Sequence, residues 1–219
     1  MNFIFFLISF HFYFFKSINQ SKLIQYFYNE NFCCRYLKNL KIIISLTSWP
    51  KRIKNVAIVI NSLLNQNIEP DLIELNLCII EFPNKEKDLP KELNILLSKN
   101  KKIEINWVKK NTGVFKKIIP TIKKYYGLNY YLLSVDDDYI YRKDYIELMV
   151  YNIKKYNSDS FCLSKNKIIG NRMIYKSLIF EKDFIHKLTD KIIETRIDDS
   201  YINYYLKKKK KKIGELLSK

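Results

Sequence analysis

Residues 132–141 read LLSVDDDYIY, an apolar run that ends in three adjacent carboxylates, Asp136, Asp137 and Asp138, followed by aromatic residues. Three like charges in a row repel, and burying even one unpaired carboxylate costs several kcal/mol, so a triplet without a ligand belongs in water. A hard divalent cation, Mg²⁺ or Mn²⁺, removes the difficulty, because such ions prefer oxygen ligands and cancel the repulsion. In extended chain alternate side chains share a face, so Asp136 and Asp138 converge on one ion while Asp137 points elsewhere. An isolated D-x-D is weakly specific and can be a solvated acidic turn. Its position at the end of an apolar strand favours the metal reading.

The surrounding elements alternate. KIIISL (41–46) reads as a buried strand, RIKNVAIVINSLLNQ (52–66) sets Ile53, Val56, Ile60, Leu63 and Leu64 at helical spacing, and DLIELNLCII (71–80) returns to strand. Pro90 suits the first turn of a helix through KELNILLSKN, KIEINWV (102–108) is a third strand, and FKKIIPTIKKYY (115–126) a short helix started or interrupted by Pro120. YYLLSV leads into the triplet, and KDYIELMVYNIKKY (143–156) is the next helix. Beyond Ser160, SFCLS reads as a strand, NRMIYKSLIF as a strand or hairpin, and IDDSYINYYLKKKKKKI as a helix whose start Asp198 or Asp199 can cap. The expectation is an α/β fold, a Rossmann-type, mainly parallel sheet with helices on both faces. In such sheets ligands bind beyond the carboxyl ends of the strands, where the triplet lies.

The segments IISLTSWPKRI, SLLNQNIEPDLIELNL, EFPNKEKDLPKEL, NTGVFKKIIPTIKKY and SVDDDYIY resemble, in this order, a group of bacterial glycosyltransferases of the GT-A, family-2-like type. The resemblance covers about residues 41–151 and, thinly, Asp198 and Asp199. It implies transfer of a sugar from a nucleotide-sugar donor to the hydroxyl of a glycan or lipid-linked acceptor, in surface glycan or polysaccharide synthesis, with Mn²⁺ or Mg²⁺ on the diphosphate. Carried over residue by residue, Asp136 and Asp138 match the D-x-D that holds ribose and metal, and Asp137 stands between them. Thr47 and Arg52 match positions near the nucleotide, and Lys117 a basic residue that meets the diphosphate. Asp199 and Asp198 match the pair that supplies a general base. Taken singly, Thr47 reads equally well as a turn residue, Arg52 as a surface charge and Lys117 as a solvated helix face. Trp49 stands where the family commonly has Tyr, and His186 is a lesser candidate base. The chain departs from the family between the metal motif and the late acidic pair, where Gly170 is the sole glycine in place of a Gly-rich stretch. That departure keeps a catalytically inactive homologue among the alternatives.

Composition bounds the rest. The 219 residues suit one domain with a sizeable core, and Lys+Arg 39 against Asp+Glu 22 gives a formal net charge of +17. Such charge attracts nucleic acid, anionic lipid or phosphorylated small molecules, but lysines scattered among Ile, Asn and Tyr also reflect compositional bias. The four cysteines, Cys33, Cys34, Cys78 and Cys162, lack zinc-knuckle or C-x-x-C spacing and read as reduced thiols. MNFIFFLISFHFYFF opens residues 1–40, an apolar leader; as a helix its fifteen residues reach roughly 22 Å, short of a ~30 Å hydrocarbon core. Lys16, Lys22 and Arg35 follow it and favour a cytoplasmic location, membrane-associated if the leader inserts. The transferase domain is expected over 41–206, with a basic tail over 207–219. The run Lys207–Lys212 keeps a nucleic-acid-binding or membrane-surface-binding protein as the rival; nucleic acid is disfavoured because the triplet repels phosphate and no nucleic-acid signature occurs. A metal-dependent nuclease or phosphotransferase is the second rival and lacks further carboxylates from other strands.

Overall fold

The structure is a computed structural model and describes residues 41–163, 172–195 and 198–215. The apolar leader with Cys33 and Cys34, the stretch around Gly170 and the side chain of Asp199 lie outside the described residues.

Lys41 opens a compact unit built on a seven-stranded sheet. In chain order its elements are β1 (Ile42–Thr47), α1 (Ile53–Leu64), β2 (Leu72–Cys78), α2 (Lys91–Lys99), β3 (Ile103–Val108), α3 (Ile119–Lys124), β4 (Tyr131–Ser134), α4 (Tyr145–Lys155), β5 (Ser160–Leu163), β6 (Arg172–Lys176), α5 (Lys182–His186), α6 (Asp190–Glu194), α7 (Asp198–Lys208) and β7 (Ile213–Glu215). The strand order is β3-β2-β1-β4-β6-β5-β7, and β6 alone runs against the others. This is the mainly parallel α/β sheet the alternation of patterns predicts.

β1 and β2 are buried along almost their whole length, as strands covered on both faces must be. One face packs Ile43 and Leu132 against Phe115, Ile118 and Ile122 and against Phe184, Ile202 and Tyr205 of α5 and α7. The other carries α1, α2 and α4. Val56, Ile60 and Leu63 of α1 are fully buried at helical spacing, and Gln66 ties α1 to α4 by donating to the Arg142 carbonyl and accepting from Ile146 N–H.

A polar layer interrupts the apolar pattern and seats the turn that carries Lys117. Ser45, Glu74, Asn76 and Thr121 are fully buried where α3 crosses β1 and β2. The Thr121 hydroxyl gives its proton to Glu74, so Ser45 Oγ, 2.6 Å away, donates to Thr121; Asn76 Nδ2 reaches Ser45 at 3.0 Å and Thr121 at 3.1 Å. Lys124 closes the layer on Glu74 at 2.9 Å and Glu104 at 2.8 Å. Burial pulls the Lys124 ammonium down, but its bonds to Glu104, Tyr125 and Glu74 outweigh this and hold it well above its ordinary range. A fully satisfied buried network fixes one arrangement, here the seating of α3 and of the turn before it.

Pro120 lies in the first turn of α3, where its missing N–H has no helical partner, and residues 113–117 form a separate 3₁₀ turn instead of joining that helix. NRMIYKSLIF resolves into β6 and a 3₁₀ turn at 177–179, with β6 antiparallel to both β4 and β5. The lysine run lies between two elements: α7 extends through Lys208, and Ile213–Glu215 adds an edge strand beside β5.

Candidate active site

The carboxyl ends of β1 and β4 adjoin, with Ser45 beside Ser134 in register. The loop from β1 and the acidic triplet after β4 therefore meet. Arg52, at the start of α1, reaches across to the triplet: its guanidinium pairs with both oxygens of Asp137, with Nε 3.3 Å from Oδ2, and Nη1 donates to Asp138 Oδ2 at 2.8 Å. Asp137 is 1% exposed, so it is held by a forked, charge-assisted pair. Asp138 faces solvent, with its side chain 57% exposed.

Asp136 is met from the other side. Lys117, a buried residue of the 3₁₀ turn fixed by α3, places Nζ 3.1 Å from Asp136 Oδ1 and 3.0 Å from Asp198 Oδ2. One ammonium thus joins the acidic triplet to the first residue of α7. The Asp198 contact is close but not aligned as a hydrogen bond, and Oδ2 is buried with its hydrogen-bonding capacity unmet. Ser48 Oγ, buried in the loop after β1, is a second oxygen of this kind. Buried oxygens of this kind normally find a partner in protein, ordered water or a ligand.

The remaining predicted residues are placed as follows. Thr47 spends its hydroxyl proton on the Asn76 carbonyl at 2.7 Å, tying β1 to β2. Trp49 is 41% exposed at the rim with Lys51 Nζ 5.4 Å from its ring centroid. His186 is exposed on α5.

The pattern did not reveal two further contributors. Tyr141, 3% exposed, accepts a hydrogen bond from Asp136 N–H at 2.8 Å and lies 3.2 Å from the Asp136 carbonyl, pinning the first carboxylate's backbone. Its signal was the aromatic cluster after the triplet. Lys116, 2% exposed, pairs with Glu81 and donates to Asn111 Oδ1 at 3.0 Å. The adjacent lysines of one turn therefore reach two different groups along the carboxyl edge.

Four carboxylates (Asp136, Asp137, Asp138 and Asp198) face two cations (Arg52 and Lys117), so 2 − 4 leaves two negative charges. That surplus matches one divalent cation. Among the described residues no group of three or more His, Cys, Asp or Glu could hold a metal ion by itself. Two carboxylates with substrate phosphates and water suffice for Mg²⁺, which seldom occupies an all-protein cage. The donor set thus fits an ion that arrives with a phosphorylated ligand.

No protein-family model and no curated protein matches the sequence. The fold does have solved counterparts. S. aureus TarS 1-349 in complex with UDP-GlcNAc aligns with a TM-score of 0.52 at 14% identity, over 82% of this chain and 57% of that one. A structure described as a nucleotide-diphospho-sugar transferase from Desulfovibrio desulfuricans G20 gives 0.52 at 10% identity, over 81% and 80%. A 4-diphosphocytidyl-2C-methyl-D-erythritol synthase from Anaerococcus prevotii DSM 20548 gives 0.54 at 14%, over 82% and 90%. The chain shares the α/β fold of these three structures. It spans less than two thirds of TarS 1-349, and identities this low speak to fold alone.

Proposed function

We propose that this protein is a metal-dependent glycosyltransferase, GT-A-like and family-2-like, that moves a sugar from a nucleotide-sugar donor to an acceptor hydroxyl in glycan or polysaccharide synthesis. The observation that carries the reading is the convergence of Asp136–Asp138, Arg52, Lys117 and Asp198 at the carboxyl edge of the sheet. Asp138 and Asp136 would hold Mn²⁺ or Mg²⁺, which when bound supplies Lewis-acid stabilisation of the departing diphosphate. Lys117 and Arg52 already lie beside these carboxylates and can turn to phosphate oxygens, so donor binding exchanges carboxylate partners for phosphate partners. Asp137 acts through Arg52, whose guanidinium it orients, and Thr47 shapes the loop that borders the nucleotide.

Asp199 or Asp198 would serve as the general base, and of the two the side chain of Asp198 is described, beside Lys117. Its Oδ2 is buried beside Lys117 Nζ and has no aligned hydrogen-bond partner, so it is the oxygen of this side chain that would take a proton from an acceptor hydroxyl. A nucleotidyl transfer from a triphosphate is less well served. The loop Ser48–Arg52 after β1 contains no glycine and offers no backbone cradle for three phosphates.

Calorimetry of the full chain with UDP and GDP, with and without Mn²⁺, tests this reading. Binding of at least one nucleotide should require the metal and fall by about a hundredfold or more in Asp138→Asn, a loss typical of removing a charge-stabilising group. Asp138 is mostly exposed, so the variant should keep its fold. Metal-independent nucleotide binding that Asp138→Asn leaves unchanged would overturn the assignment.

A further inference from the structure

The edge opposite the site has its own chemistry. Because β6 runs against the other strands, its end joins the starts of β1, β4, β5 and β7 at the amino edge, where Lys176 lies opposite Tyr131 and Ile213 opposite Ser160. The helices α2, α3, α4 and α7 all end on lysine there: Lys99, Lys123 and Lys124, Lys154 and Lys155, Lys207 and Lys208. Lysine in a last helical turn is favourable against the helix dipole, so these charges alone could be structural.

The apolar side chains among them have no such explanation. Tyr126 and Leu128 are 44% and 52% exposed on the turn between α3 and β4, which Leu128 N–H closes on the Tyr125 carbonyl at 3.2 Å. Gly127, at φ 81°, permits this turn, where any other residue would be strained. Ser177 Oγ donates to the Leu128 carbonyl at 2.7 Å, and Ser177 N–H to the Tyr130 carbonyl at 2.9 Å, which brings the 57% exposed Leu178 beside Leu128. Two exposed leucines from chain segments fifty residues apart thus lie on adjoining turns, one of which also carries Tyr126 and follows the exposed Lys123.

We propose that the amino edge docks on an anionic lipid bilayer, with Tyr126, Leu128 and Leu178 entering the interfacial layer and the lysines meeting lipid phosphates. A basic rim around aliphatic side chains fits a bilayer, which offers negative charge at the surface and hydrocarbon just below it. A nucleic-acid backbone offers the charge but gives aliphatic leucine nothing to enter. Covalent continuity adds to this: the chain enters the fold at Lys41 on the same edge, following residues 1–40 with their apolar opening stretch. The strands of four to seven residues, at about 3.3 Å each, set the two edges roughly 20 Å apart. If the transferase reading holds, the site then faces away from the bilayer toward soluble donor and toward acceptors that extend beyond the lipid surface.

Vesicle flotation of the full chain tests the docking face. The protein should float with vesicles of equal parts phosphatidylcholine and phosphatidylglycerol and not with phosphatidylcholine alone, and added salt should weaken the association. Replacing both Leu128→Ser and Leu178→Ser should lower partition about tenfold or more, the scale set by two partly buried leucines. Lys207→Glu with Lys208→Glu should lower it to a similar extent, about tenfold. Tyr126→Trp should emit further to the blue on the anionic vesicles. These positions are exposed, so circular dichroism should match the parent. The proposal fails if no flotation occurs or if both pairs float like the parent, which would leave any binding to residues 1–40. It also fails if Tyr126→Trp shows no shift, or if single-stranded RNA is retained by the leucine pair, is lost in the lysine pair, and vesicles are not bound.

Discussion

The two edges of the sheet handle charge differently, although both hold ion pairs, among them Lys124 with Glu74 and Lys209 with Glu181 at the amino edge. At the carboxyl edge Arg52, Lys116 and Lys117 are each committed to named carboxylates, and Asp137 and Asp198 are buried by that pairing. At the amino edge Lys123, Lys207 and Lys208 stand exposed among apolar side chains. Buried, paired charge holds a fixed geometry and is expensive to break, whereas exposed charge contributes little to stability and is free to meet a large, soft partner. The contrast is what the two proposed roles rest on, one edge positioning a small anionic ligand and the other meeting a surface.

Substitutions should divide along the same line. The largest loss is expected for Arg52→Ala, which leaves the buried Asp137 carboxylate without its cation. Urea unfolding should show about 3 kcal/mol or more of destabilisation, as for other half-broken buried pairs. A loss under about 1 kcal/mol would mean that the fork adds no rigidity. Next comes Lys117→Met, which raises the local surplus from two negative charges to three. It should tighten Mn²⁺ binding in the absence of nucleotide and weaken metal-dependent nucleotide binding, each by about tenfold, as expected for one charge acting at close range. Parallel weakening of both would sink the exchange of partners proposed for the donor.

Lys207→Glu with Lys208→Glu should change stability by no more than about 0.5 kcal/mol and leave nucleotide binding untouched, since exposed substitutions away from special features seldom do more. The smallest effect sharpens the amino edge alone. Hydrogen bonds from Lys187 and Lys209, and then from the Tyr205 hydroxyl, hold the Asp183 carboxyl below the usual carboxylate range. A depressed carboxylate stabilises the fold above its unfolded pKa and loses that contribution as pH falls through the folded value. Melting temperature should therefore slope downward below about pH 4 in the parent, and Asp183→Asn should flatten that limb.

Much of this architecture was legible in the chain because it follows from local periodicity. Alternation of two-residue and helical spacing marked β1 through α4, and the strand-end position of Asp136–Asp138 put the triplet on the carboxyl edge. The late region was less legible. β6 and β5 are short, β6 reverses direction, and Ile213–Glu215 becomes a strand after a lysine run, because pairing with distant neighbours and not local pattern decides those segments.

By itself the sequence determined the α/β class, the order of elements and the presence of unusual charge at one strand end. Only the tertiary structure decided which cation meets which acid. Arg52 grips Asp137 across 85 positions, Lys117 joins Asp136 to Asp198, and Leu178 comes to rest beside Leu128 through Ser177. Local spacing cannot encode such contacts, since each depends on where the sheet order and the buried Ser45–Thr121–Glu74 layer place a loop. The sequence therefore carried the types of group that can do chemistry, and the fold carried their partners.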